Sequence, residues 1–148
     1  MGYFAVIDTN VVVSALIKAG TPPWKILQYA AHGIITPVLH EDIIGEYEEV
    51  LGRRKFGFPP EVAQGVIGGL KEHAVYAQRQ TADEPFPDPD DAVFYETVLW
   101  ERNRVGAYLI TGNIKDYPER DFIVTPRQML DIMANSAAEP GEGEMEDG

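Results

Sequence analysis

The chain contains no cysteine. Disulfides, thiolate zinc sites and cysteine nucleophiles are therefore excluded, and a reducing compartment fits. Long hydrophobic runs are missing too. Residues 3–17 are apolar-rich, but Asp8 and Asn10 interrupt them, and the run is too short to cross a bilayer. No charged leader followed by an apolar core opens the sequence, so a cytoplasmic protein without a membrane partner is expected. Basic residues are scarce, with 12 Lys and Arg against 24 Asp and Glu, for a net charge of -12. That balance argues against holding nucleic acid by surface charge alone and suits a cation site or a basic protein partner. The three histidines, His32, His40 and His73, lack the spacing of metal ligands and read as boundary or surface residues.

What remains is the composition of one domain: 148 residues, 45% of them apolar. The last ten, "EPGEGEMEDG", hold Glu139, Glu142, Glu144, Glu146 and Asp147 and no base. We read residues 1–136 as the folded domain and 137–148 as an acidic, disordered tail. Four short apolar segments read as strands of a parallel sheet covered on both faces: Phe4 to Ile7, Ile34 to Val38, Ala107 to Ile110 and Phe122 to Val124. An apolar run, Val11 to Ile17, follows the first. Helices are predicted for "PPWKILQYAAHG", "HEDIIGEYEEVLGR", residues 59–73, "DPDDAVFYETVLWERN" and "TPRQMLDIMAN", the last with Thr125 as N-cap and Pro126 at the first position. The alternation predicts a three-layer α/β/α sandwich with a mostly parallel central sheet.

The acids then sort by position. Asp8 stands at the tip of the first strand, where ligands collect in α/β folds, and Asn10 shares its surroundings. Helix capping by Asp8 or Thr9 is a compatible explanation. On the second helix, Ile43, Ile44, Tyr47, Val50 and Leu51 form one apolar arc, with Glu46 at one edge and Glu48 at the other. Periodicity does not choose between them. Asp91 lies three residues before Phe94, on the core-facing stripe of its helix. It either serves chemistry or closes a capping box with Asp88. Thr111, Asn113 and Asp116 cluster after the strand "AYLI", where Gly112 permits a tight turn. Such a site is oxygen-rich and free of histidine, which favours Mg²⁺ or Mn²⁺ over zinc. Arg53, Arg54 and Lys55 make the one dense basic patch; it fits either RNA contact or a solvated helix end.

Taken in order, "VIDTNVVVSALI", "HEDIIGEYEEVLGRRKF", "PDPDDAVFYETVL", "YLITGNIKDYP" and "IVTPRQML" resemble the PIN domain, over roughly residues 3–133. The branch most similar is that of toxins of toxin–antitoxin pairs related to the VapC group. The resemblance implies a metal-dependent endoribonuclease whose acids map to Asp8, Glu46 and Asp91. Glu46 is chosen over Glu48 on this ground. The fourth position, often Asp in similar proteins, is Asn113 here, with Asp116 as a further metal-ligand candidate. Asn10 and Thr111 would orient the carboxylates and water, and Lys115 would join Arg53, Arg54 and Lys55 in RNA contact. The resemblance also implies single-stranded or structured RNA as substrate, a small antitoxin partner and a homodimer. Its alternative is a catalytically weak or inactive PIN-like domain acting as a protein-interaction module. A phosphatase of the haloacid-dehalogenase type is disfavoured, because Asn10 stands where that class needs a second Asp.

Overall fold

The computed structural model describes residues 2–138. Most of the predicted acidic tail, residues 139–148, lies outside the described residues. The elements are β1 (Tyr3–Ile7), α1 (Thr9–Ile17), α2 (Pro22–Ala31), β2 (Ile35–Leu39), α3 (Glu41–Leu51), α4 (Pro60–Glu72), β3 (Val75–Tyr76), α5 (Pro89–Glu101), β4 (Tyr108–Ile110), β5 (Ile123–Val124) and α6 (Pro126–Ala138). The strands form one sheet in the order β3-β2-β1-β4-β5, and every pairing is parallel. The fold is thus the α/β sandwich expected from the sequence. Among the described residues no helix is long and apolar enough to cross a membrane.

Sequence dictates most element boundaries by local chemistry. Proline opens α2, α4, α5 and α6, where its missing N–H is not needed. Thr125 and Gln128 cap α6 reciprocally, side chain to backbone in both directions. Asp88 caps α5 by accepting the Asp90 N–H at 3.0 Å. His40 caps α3 the same way, accepting from Asp42, so it serves as a boundary residue. Gly33, at φ 78°, turns the chain from α2 into β2.

The fifth strand, β3, is not among the four predicted. It has only two residues and pairs only with Val38 and Leu39. Its pairing starts just past Pro37, which has no N–H to give. A strand this short carries no period to detect.

The sheet's order positions the site. β1 lies at the centre, with Ala5, Val6 and Ile7 fully packed. From β1 the chain moves outward to β2 and β3. It then returns through α5 to β4 on the other side of β1. The loops leaving β1 and β4 therefore diverge, which opens a crevice at their C-terminal ends. Register sets what faces what there. Ile7 pairs with Ile110, and the Asp8 N–H donates to the Ile110 carbonyl at 2.9 Å. Asp8 and Thr111 thus emerge side by side.

Candidate functional site

Asp8 is only 6% exposed. A carboxylate at that depth needs partners. Three side-chain donors meet it, all on Oδ2: the Thr111 hydroxyl at 2.9 Å, the Tyr117 hydroxyl at 2.9 Å and the Asn10 amide at 3.4 Å. None falls on Oδ1. Burial pushes the Asp8 carboxyl above its ordinary range. The bonds from Thr111 and Tyr117, and the nearby N–H groups of Asn10 and Thr9, pull it back. Asp8 occupies the N-cap position of α1, yet its side chain forms no cap bond of good geometry. Capping therefore does not account for it.

The donors are themselves held. Thr111 Oγ1 accepts the Asn113 N–H at 3.0 Å, which leaves its single proton for Asp8. Asn10 Oδ1 accepts the Gly112 N–H at 2.9 Å. A side chain at position 112 would begin 3.1 Å from that oxygen, so glycine permits the approach. Tyr117 is buried against Phe86.

Asp91, in the first turn of α5, is half-buried, and no hydrogen bond reaches its carboxylate among the described residues. The capping box offered as its alternative does not form, because Asp88 is satisfied by Asp90 instead. Burial, then the charges of Asp8, Asp116, Asp88 and Asp90, push Asp91 up to about 7. A carboxyl with that midpoint both holds and releases protons near neutrality.

Glu46 and Glu48 separate cleanly. Glu46 lines a cavity of about 290 Å³ together with Asp8, Thr9 and Asn10. Glu48 faces away, into a groove between α3 and α4 lined by Phe58, Ile67 and Lys71. Burial raises the Glu46 carboxyl, with Asp90 and Glu49 adding to the effect and Arg53 opposing it. Thr9 Oγ1, on the same cavity, is buried without a hydrogen-bond partner.

Asn113 is not turned toward Asp8. Its amide donates to Asp116 Oδ2 at 2.8 Å, at the base of the turn Ile114–Asp116. Lys115 is exposed on that turn. In the basic patch, Arg53 is bound to Glu49 through two nitrogens, at 2.6 and 3.1 Å, in the manner of a helix-end ion pair. Arg54 and Lys55 form no ion pair among the described residues. The other buried acid, Glu101, ends α5, roughly 15 Å along the helix from Asp91, and takes no part.

Sequence reading missed two contributors. Tyr117 follows Asp116 and precedes Pro118; an aromatic beside the polar turn was the only signal. Phe56 borders the cavity of Asp8 and Glu46 and was visible only as part of the basic stretch.

Among the described residues no three acids or histidines stand close enough to enclose a metal ion as they are placed. The donors nevertheless suit a hard cation in kind. All are oxygens, Asp8 Oδ1 takes no side-chain bond, the Thr9 hydroxyl is unpartnered, and Asp91 is strained by like charge.

A parallel α/β sandwich with acids gathered at its topological switch point defines a class of domain that binds and processes ligands at the strand tips. The PIN domain family model matches residues 5–115, and the chain belongs to that family. PIN domains are in general nucleases that use divalent metal ions. No curated protein matches the chain in a sequence search.

Proposed function

We propose that the chain is a Mg²⁺- or Mn²⁺-dependent endoribonuclease and the toxin component of a toxin–antitoxin pair related to the VapC group. One observation carries the nuclease reading: Asp8 is buried, takes all its side-chain donors on Oδ2, and is in electrostatic contact with Asp91. Asp8, Asp91 and Glu46 would hold the ion. Asp116, steadied by Asn113, takes the fourth carboxylate's place. Bound there, the ion supplies charge neutralisation at the phosphate and lowers the pKa of a water.

The chain's own residues do the rest. Thr111, Tyr117 and Asn10 fix the plane of the Asp8 carboxylate and keep Oδ1 available. Asp91, raised toward neutrality by burial and neighbouring acids in the metal-free chain, would give up its proton as the ion binds. The open cavity between Asp8 and Glu46 gives the phosphodiester a place beside both carboxylates. Arg54 and Lys115 meet flanking phosphates, whereas Arg53 stays with Glu49.

Asp8→Asn tests this reading. Mg²⁺-dependent cleavage of RNA is expected to vanish while the circular dichroism spectrum is unchanged. Cleavage at the parental rate by that variant would overturn the assignment.

A second reading has an observation of its own. Asn113 stands where similar proteins carry Asp, and its amide is spent on Asp116. A weak or inactive domain that acts by binding a partner is consistent with that. The net charge of -12 suits a small basic antitoxin, and a homodimer is expected by analogy. Growth arrest on expression, relieved by Asp8→Asn, separates the toxin from the binding module.

A further inference from the structure

The loop between α3 and α4 brings aromatic rings and cations to the rim of the acidic cavity. Phe56 is half-buried and lines that cavity together with Asp8, Glu46, Val13 and Val50. Its ring is stacked on Phe58, with centroids 5.5 Å apart and planes 8° from parallel. The Lys55 ammonium rests 5.2 Å from the Phe56 centroid. Arg54 and Lys55 are exposed.

The loop is held in shape. The Phe56 N–H donates to Arg53 O and the Gly57 N–H to Arg54 O, both at 3.1 Å. Gly57, at φ 66°, supplies the left-handed turn.

Each feature matches a different part of a nucleotide. A planar ring accepts a base face, and an ammonium on a flexible stem moves readily from ring to phosphate. Depth decides what form of nucleic acid fits. Asp8 is 6% exposed, so a phosphodiester meets it only by entering the cavity. At about 290 Å³ the cavity is at the lower limit for small-ligand pockets, roughly 300 Å³. A single strand can turn one nucleotide into it, whereas a duplex keeps its bases stacked and paired.

We infer that Phe56 is the stacking platform of a nucleotide subsite beside Asp8, with Arg54 and Lys55 on the adjoining phosphates. The inference rests on the nuclease reading of the Asp8 site and names the residue that receives a base beside it.

The test is binding of a short labelled RNA, single-stranded or annealed to its complement, by the full chain in the Asp8→Asn background. The single strand is expected to bind more tightly than the duplex. Phe56→Leu should weaken single-strand binding on the order of tenfold, and Phe56→Trp should preserve it. A 2-aminopurine placed in the strand should be quenched on binding to protein that retains Phe56, which needs no variant at that position. Equal affinity for strand and duplex, undiminished binding by a folded Phe56→Leu protein, an unquenched 2-aminopurine, or no binding by the background protein would overturn the inference. Cleavage by the unsubstituted chain and its loss in Asp8→Asn judge the nuclease reading separately. An active, Asp8-dependent nuclease with undiminished Phe56→Leu binding removes the stacking site alone.

Discussion

Two aspartates 83 residues apart in sequence are both raised by burial, but to different ends. Burial raises the Asp8 carboxyl, but donors on one oxygen offset part of that cost. Asp91 receives none; burial first, and then the charges of four other acids, push it up to about 7 from an ordinary 3.8. The folded chain therefore binds more protons at this residue than the unfolded chain between about pH 4 and 7. Metal-free stability falls as pH rises through that window and levels off above it. Thermal melts should show a higher midpoint near pH 5 than near pH 8. Asp91→Asn should remove its share of that slope and stabilise the metal-free protein at the upper pH by about 1 kcal/mol, allowing for solvent screening at a half-exposed group. A steeper slope in the variant would contradict the assignment. Asp91 was legible in the sequence, because a carboxylate three residues before Phe94 falls on the buried stripe. The choice between Glu46 and Glu48 was not. Periodicity gives an angle around α3, but which flank meets Asp8 and which meets α4 is a tertiary fact. Tyr117 was equally out of reach, since the turn Ile114–Asp116 decides where its hydroxyl arrives.

Between β3 and α5 runs a segment with no regular structure that is nonetheless pinned at several points. Arg79 bridges Asp42 of α3 at 2.7 Å and Glu96 of α5 at 2.9 Å. The Ala82 N–H donates to the Glu96 carboxylate at 3.2 Å. Glu84 accepts from both Arg120 and the Tyr95 hydroxyl. Phe86 then packs against Tyr95 and Tyr117. This strap delivers Asp88, Asp90 and Asp91 to the site. Arg79→Ala should leave two carboxylates unpaired, cost on the order of 1 kcal/mol, and speed amide exchange across residues 80–86. Exchange there at the parental rate would mean that the aromatic contacts alone hold the strap. The long helices and three of the five strands were evident from apolar runs and proline positions, and β5 lay within its predicted segment. The strap was evident only as an interruption rich in proline and acids, because its order comes from partners distant in sequence.

At the scale of the molecule, an acidic body brings Asp91 within electrostatic reach of Asp8 at the C-terminal end of the central strand. Like-charge strain of this kind is relieved by a bound cation, and a ligand that binds only the folded state raises the melting midpoint by mass action. Added Mg²⁺ should raise it more than NaCl of equal ionic strength. EDTA should reverse the shift, and Asp8→Asn should abolish it. An equal response to both salts would mean general screening and no site. The class of fold was readable from the order of short strands and helices, since a parallel sheet forces its crossovers. That the strand order reverses at β1, and so opens the crevice at Asp8, became visible only with the sheet topology.

The hydrogen bonds that anchor Asp8 reach 103 residues along the chain to Thr111 and 109 to Tyr117. The first acid of the site is therefore made more than a hundred residues ahead of its two hydroxyl anchors. Until β4 docks against β1, Asp8 is an ordinary solvated aspartate on an unfinished chain. A chain that has not yet reached β4 and the turn after it therefore carries no assembled site.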